Sequence, residues 1–390
     1  MRKKILAFTA IRSEYDLLSG LFKMLNADQD IEFKIIVSGA HLSERGGHTV
    51  KDIEQDGLDI LARINTLTES DTKASRIKSG SRLLCKAIDI VDEYKPDMII
   101  YAGDREEVIM ASIIGGYLEI PTVHFFGGDH VQDSHIDNPV RHATSKMSTI
   151  HIVSTEEHAK RLYRMGEDKK RIFNIGSVAL DKFRNEEIYT LGEMKDHFNI
   201  KSTTNNYALL IFHPIPKERK QSAEIFENIL FTLREKNIFT FVSYPNIDPG
   251  SSEIISIIDK YKNTSGFNFY KSQPRKIFLS IYKNADFIIG NSSSGIIESA
   301  SIPIPAINVG YRQTSRTPND NVIFCDVTKQ GIHEAIETSK SEKFQKILKK
   351  TNNIYGDGYS INKAYKIIKE NTFSELLFKD EDILEMNHEE

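Results

Sequence analysis

A chain of 390 residues outgrows a single hydrophobic core, so two domains are expected. Its 39% apolar and 27% charged residues are the mix of a folded globular enzyme and set aside a low-complexity or disordered chain. A net charge of -4 supplies no field to gather nucleic acid or an anionic membrane, and no run approaches the roughly 18 apolar residues of a membrane span.

The N-terminal MRKKILAFTA is basic then apolar, in the manner of a signal peptide, but Arg12, Glu14 and Asp16 interrupt the run. We read Lys4 to Thr9 as a first core strand and expect a cytoplasmic protein. Leu17, Leu18, Leu21, Phe22 and Leu25 share one face of a helix from Glu14 to Leu25, and Glu32 to Val37 is the next strand. From Ser38 to Arg76 the pattern weakens into a long polar stretch with His41, Arg45, Gly46, Gly47 and His48; loops of this length are functional or mobile. A helix from Ser81 to Tyr94 and a strand from Asp97 to Tyr101 follow. The next helix runs to Leu118, and Pro121 opens the strand Thr122 to Phe126. After the loop Asp129 to Asn138 come helix Val140 to Met147, strand Ile150 to Ser154, helix Glu156 to Met165 and strand Ile172 to Ile175. Cys85 and Cys325 lie in apolar segments without partner spacing, which predicts buried thiols in a reducing compartment.

Strands alternating with helices predict a doubly wound parallel sheet, whose ligands collect beyond the carboxyl ends of the strands. Arg12, Asp104 with Arg105, Asp129 and Ser154 all fall at such ends. The polar segment Asn185 to Asn206, with Thr203, Thr204, Asn205 and Asn206, reads as a linker. A second alternation follows, with strands at Tyr207 to Phe212, Thr240 to Ser243, Asn268 to Tyr270, Phe287 to Ile289, Ile304 to Val309 and Val322 to Cys325. The expected architecture is α/β, two Rossmann-like doubly wound domains facing a central cleft. Residues 1–183 form the first, completed by a C-terminal helix within 361–390, and residues 205–360 the second. The acidic tail from Lys379 is expected to be at most partly ordered.

Three groups of residues carry candidate chemistry. The stretch GNSSSGIIE from Gly290 to Glu298 reads as strand, small-residue turn and helix, an arrangement that aims amides and hydroxyls at an anion. Two helical turns after Asn291, Glu298 is placed to accept hydrogen bonds from ribose hydroxyls; the plainer reading is a β-α turn with N-caps. Asp104, Asp129, Asp137, Arg141 and His142 form a second set, in which neighbouring carboxylates suit proton abstraction from carbon. His213 follows the strand YALLIF and precedes a proline; it is either a phosphate or proton contact or a surface histidine at a strand end. His124, His130, His135, His142 and His151 match no metal-ligand spacing, so no catalytic metal is expected. There is no P-loop and no GxGxxG, and NSSSG lacks the leading glycine of a serine-hydrolase elbow.

In order along the chain, Arg12 with Tyr15, AHL at Ala40 to Leu42, IEQD at Ile53 to Asp56, GDRE at Gly103 to Glu106 and GGD at Gly127 to Asp129 form a pattern. It continues with VRH at Val140 to His142, HP at His213, GNSSSGIIE, and INVGYRQTSR at Ile307 to Arg316. This ordered set resembles the UDP-N-acetylglucosamine 2-epimerases, specifically the hydrolysing type of sialic and related nonulosonic acid biosynthesis. The resemblance implies a GT-B-like pair of domains, no cofactor, a sugar-nucleotide substrate and a homodimer. It also implies elimination of the nucleoside diphosphate to a glycal, then addition of water to give a free N-acetylmannosamine-type sugar, most simply from UDP-N-acetylglucosamine. Carried over by position, Asp104, Asp137 and His213 are catalytic; Arg12, Ser292, Ser293 and Glu298 contact the nucleotide. Arg312 or Arg316 is a further anion contact, and Arg105 and Arg141 are grouped with the binding residues. Where familiar members carry a proton-transferring residue before the glycine pair, this chain has Phe126, and Asp129 is the expected substitute. The alternatives are a non-hydrolysing epimerase, an epimerase for a 2,4-diacetamido-trideoxy sugar, a GT-B glycosyltransferase and a silent sugar-nucleotide sensor.

Overall fold

The computed structural model describes residues 2–44, 47–68, 72–131, 136–200, 207–245, 250–271, 273–384 and 386. Arg45, Gly46, His135, the run Thr203 to Asn206 and the last four residues of the acidic tail lie outside the described residues. The chain divides into two compact units. The first takes in the residues from the first strand to Lys182, Val131 excepted, and again those from Tyr355 onward; the second runs from Phe183 to Ile354.

The first unit is built on a parallel sheet of β1 (Lys3–Thr9), β2 (Ile31–Ser38), β3 (Ile60–Ile64), β4 (Met98–Ala102), β5 (Thr122–Phe125), β6 (Ile150–Val153) and β7 (Ile172–Asn174). Their order is β3-β2-β1-β4-β5-β6-β7, so the direction of winding reverses between β1 and β4. Apolar residues cover both faces of the sheet. Ile5, Ala7, Ile35 and Ile100 join one cluster, and Leu6, Ile36, Ile99 and Tyr101 join the other. Each of these leucine and isoleucine side chains contributes about 1.5–3 kcal/mol when fully buried. The helix Arg12–Ala27 closes the first cluster with Tyr15, Leu18, Leu21, Phe22 and Leu25, one face of a 3.6-residue repeat.

The stretch from Ser38 to Arg76 holds more than a loop. It contains a short 3-10 turn at Gly39–Leu42, a helix at Val50–Gln55, and β3. β3 is an edge strand with one neighbour and a mostly half-buried pattern, so it lacks the apolar run of a central strand. The following helix spans Lys73–Tyr94, starting well before Ser81 because Thr72 and Ser75 form a capping box. Cys85 is exposed on this helix and Cys325 is half-buried, which corrects the expectation of two buried thiols.

The second unit repeats the plan with β8 (Tyr207–Ile211), β9 (Phe239–Ser243), β10 (Phe267–Tyr270), β11 (Phe287–Gly290), β12 (Ala306–Val309) and β13 (Val322–Cys325). The order β10-β9-β8-β11-β12-β13 again reverses, here between β8 and β11. The segment expected as a polar linker holds a helix, Leu191–His197, started by a Thr190–Glu193 capping box. It is stitched to this unit through Tyr189, whose N–H donates to Ser280 Oγ at 2.8 Å and whose carbonyl accepts from Asn284 at 3.0 Å.

The chain then returns to the first unit. Asp181 accepts from the N–H groups of Ser360 (3.1 Å) and Ile361 (2.9 Å) at the start of the helix Ser360–Glu370. The tail beyond is held more firmly than its acidity suggests. Arg171, with 1% of its surface exposed, donates to the carbonyls of Thr149, Leu376 and Phe378 and pairs with Glu381 at 3.0 Å. Among the described residues no helix is long and apolar enough to cross a membrane.

Candidate functional site

In a sheet of this order, ligands gather beyond the carboxyl ends of the strands where the winding reverses. In the first unit that point lies past β1 and β4. β4 ends at Ala102, and His124, fully buried on β5, fixes the turn that follows: its Nε2 bonds the Gly103 carbonyl at 2.9 Å and its Nδ1 the Ser145 hydroxyl at 3.1 Å. Burial drives this imidazole down to about 3, so it serves as a neutral brace. Asp104 follows immediately.

β5 ends at Phe125, and Phe126 then adopts φ +64, a left-handed conformation rare for an aromatic residue. Its N–H donates to the Ile152 carbonyl at 3.0 Å and its ring packs on the apolar cluster beneath the sheet. Position 126 therefore serves the core. Asp129, three residues on, is the carboxylate that reaches the polar set.

Arg141 gathers that set. It is buried on the helix Asp137–Met147, and its guanidinium pairs with Asp104, with Asp129 Oδ2 at 2.9 Å, and with the Phe126 carbonyl at 3.3 Å. Asp137 begins the same helix one turn earlier, on the same face. Burial first, and the charge of Asp104 second, raise its carboxyl to about 6. The structure thus brings together Asp104, Asp129, Asp137 and Arg141. His142 stacks on His130 at the border, ring centroids 5.9 Å apart and nearly coplanar in orientation.

The two other cations expected here are placed differently. Arg12 opens the first helix beside Asp16 (3.4 Å) and Asp52 (3.7 Å). Arg105 is turned onto Glu107 at 3.4 Å and Glu106 at 3.6 Å. Glu14 lies in the field of the same cluster, where burial and the charge of Glu107 raise it to about 8. Among the described residues no group of three His, Cys, Asp or Glu side chains is arranged to hold a metal ion.

In the second unit the reversal falls past β8 and β11. Gly290 ends β11 with φ +131, and a Cβ there would lie 2.0 Å from the Ile211 carbonyl oxygen, so the two strand ends approach through a glycine. Asn291, fully buried, then ties the ends together by two hydrogen bonds to the backbone of His213, each 2.8 Å. The His213 ring is half-buried; burial and the nearby Arg312 lower it to about 3, so it stands as a neutral imidazole near pH 7. Arg312 and Gln313 both donate to the Asn291 carbonyl at 3.1 Å, and Arg316 donates to Gln313 Oε1 at 2.7 Å.

Ser292 caps the next helix, accepting from the Ser294 N–H at 3.3 Å, and Ser293 is its first residue. That helix is only Ser293–Ile297, shorter than the two turns expected. Glu298 is consequently its C-cap, buried, and accepts from the Ser294 hydroxyl at 2.5 Å.

Two parallel doubly wound domains, each with its polar residues at the reversal of the strand order, define a two-domain Rossmann-type α/β protein. The family model for UDP-N-acetylglucosamine 2-epimerase matches residues 23–369, and the chain belongs to that family. It is 34% identical to a UDP-N,N'-diacetylbacillosamine 2-epimerase (hydrolyzing) of Legionella pneumophila, over 95% of this chain and 96% of the relative. It is also 34% identical to a GDP/UDP-N,N'-diacetylbacillosamine 2-epimerase (hydrolyzing) of Campylobacter jejuni, over 88% and 89%. Its fold is that of the UDP-GlcNAc 2-epimerase from Neisseria meningitidis, solved bound to UDP-GlcNAc, with a TM-score of 0.81, 16% identity, and coverage of 94% and 100%.

Several residues of the two strand-end clusters escape the reading of the sequence. Asn291 and Gln313 lie inside recognised stretches, yet their work is to hold backbone, which no residue pattern announces. Glu107 follows the GDRE stretch, and a count of acids around Arg105 would have pointed to it, whereas Glu14 comes to the same cluster from a distant part of the chain.

Proposed function

We propose that this chain is a hydrolysing 2-epimerase that converts a UDP-linked 2-acetamido sugar into UDP and the free manno-configured sugar. The observation that carries the reading is the cluster of Asp104, Asp129 and Asp137 about one buried guanidinium, in a member of this family. In the first stage a carboxylate takes the proton from the sugar's second carbon while the bond from the anomeric carbon to the diphosphate breaks, leaving a carbon–carbon double bond. In the second, water adds its oxygen to the anomeric carbon and a proton returns to the second carbon from the opposite face. Asp137 is our candidate for the abstraction, because its raised basicity suits a base working near neutral pH. Asp104 and Asp129 hold their places through Arg141 and are our candidates for the water-addition stage. In the second unit Ser292, Ser293, Arg312 and Arg316 are assigned to the departing diphosphate and Glu298 to the ribose, which stabilises the charge that develops on the leaving group.

Between the two sugars we favour UDP-N,N'-diacetylbacillosamine. The relatives at 34% identity carry that name, whereas the UDP-N-acetylglucosamine 2-epimerase of Neisseria meningitidis is 29% identical and a polysialic acid biosynthesis protein of Escherichia coli likewise 29%. The test is to supply UDP-N,N'-diacetylbacillosamine and UDP-N-acetylglucosamine separately and measure UDP and free sugar. Equimolar UDP and free sugar, with the diacetamido substrate turned over at the higher kcat/KM, supports the reading. Recovery of an epimerised sugar still joined to UDP contradicts it.

A further inference from the structure

The loop that carries Asp129 takes its shape from a neighbouring helix. Gly128 has φ +75, and a Cβ on it would lie 2.3 Å from the backbone oxygen of His158, so only a glycine lets the loop settle onto the first turn of the helix Glu156–Arg164. Arg161, further along that helix, donates to the Gly128 carbonyl. Beside these two backbone anchors the His158 ring reaches Asp129, with Nε2 3.5 Å from Oδ1. Arg141 holds the other carboxylate oxygen, at 2.9 Å. His158 is itself buried and walled in. Its backbone N–H donates to the Thr155 hydroxyl at 3.2 Å, and its ring lies against Tyr355, centroids 6.3 Å apart. Tyr355 begins the returning C-terminal segment, anchored where its carbonyl accepts from the Ser177 N–H at 2.6 Å.

We propose that His158 is a positioning residue for the epimerase reaction: backed by Tyr355, it fixes the plane of the Asp129 carboxylate against Arg141. The His130 backbone N–H also donates to Asp129 Oδ1, at 2.9 Å, but it belongs to the same glycine loop and moves with it; His158 meets that oxygen from the neighbouring helix. Restraint from the second side keeps its oxygens where a reacting water or proton must meet them, and a misplacement of about 1 Å can cost about a hundredfold in rate. The returning C-terminal segment thereby gains a part in the chemistry that its distance in sequence conceals.

This inference rests on the proposed role of Asp129, and the experiment separates the two. Steady-state kinetics on a UDP-linked acetamido sugar are compared for wild type, Asp129→Ala, His158→Leu and His158→Gln. The glutamine keeps an N–H donor near the position of Nε2, whereas leucine keeps only bulk. The expected result is a kcat about 10–100-fold lower for His158→Leu with KM within about twofold, and recovery of most of that loss in His158→Gln. If the leucine variant does not stay folded, Tyr355→Leu takes its place, with kcat several-fold lower and KM kept. Full kcat in whichever of these two variants is assayed, or equal losses in the glutamine and leucine variants, overturns the role of His158. With the wild type active and Asp129→Ala inert, that outcome leaves the proposed function standing. A wild type that turns over no sugar nucleotide removes both.

Discussion

Asn291 and His213 exchange two hydrogen bonds across the ends of β11 and β8: the His213 N–H donates to Oδ1 and Nδ2 donates to the His213 carbonyl, both at 2.8 Å. The residue after β11 thereby sets where the imidazole after β8 stands. Replacing Asn291 by Ala leaves a buried donor and acceptor unpaired, and we expect a loss of about 2–4 kcal/mol in urea unfolding of the second unit. Turnover should fall at least about tenfold with it, since His213 loses its anchor. An Asn291→Ala protein of unchanged stability and rate would show that the pair is incidental.

Arg141 offers a sharper division between fold and function. Arg141→Met leaves Asp104 and Asp129 without their shared cation and should cost about 3–5 kcal/mol. Arg141→Lys keeps the charge but, as a point donor, cannot span two carboxylates and the Phe126 carbonyl as the planar guanidinium does. The lysine variant is expected to bind UDP normally by calorimetry and to turn over about a hundredfold more slowly. Wild-type rates in the lysine variant would rule out a bridging role.

Asp137 predicts a pH dependence of definite sign. Its native carboxyl, raised from 3.8 to about 6, binds a proton more tightly than the unfolded chain does. The stability tied to that proton is complete below about pH 4 and is lost as pH rises through 6; Asp137→Asn should flatten this segment of the stability curve. For a base the activity runs the other way: kcat/KM rises with pH on a limb centred near 6. Asp137→Asn should abolish turnover, and Asp137→Glu should retain a displaced limb. A rate that falls through pH 6 would make Asp137 the proton donor instead.

The C-terminal tail makes a claim about stability alone. Removing the residues from Thr372 onward strips Arg171 of the Leu376, Phe378 and Glu381 partners and leaves a buried guanidinium with the Thr149 carbonyl. The expected loss is about 3–5 kcal/mol, seen as a melting transition of the first unit lowered by about 6–20 °C. Equal melting of the truncated and full-length proteins would show that the tail rests on the surface without holding it.

The alternation of apolar strands and amphipathic helices made both sheets legible from the residues, because central parallel strands are buried on both faces and read as short apolar runs. β3 was hidden because an edge strand needs no such run. The helix Leu191–His197 was hidden in a polar segment because its start is signalled by a capping box, with little apolar periodicity to show it. Asp104 and Asp129 follow the ends of β4 and β5, and Asp137 and Arg141 stand one turn apart at the start of the next helix, so the four could be named as a set. That Phe126 turns into the core, and that His158 and Asn291 hold loops in place, depends on a left-handed backbone and on contacts between distant segments. Neither leaves a mark in the order of residue types.

Proton removal from carbon followed by capture of water is the core of the proposed reaction, and one experiment reads both. The protein is incubated with UDP-N,N'-diacetylbacillosamine in deuterated water and the released sugar is followed by NMR. The prediction is a free manno-configured sugar with deuterium at the second carbon, formed in step with UDP, and no such product from Asp137→Asn. A released sugar that keeps its original hydrogen and configuration at that carbon would mean simple hydrolysis of the sugar nucleotide, and would contradict the mechanism at its first step.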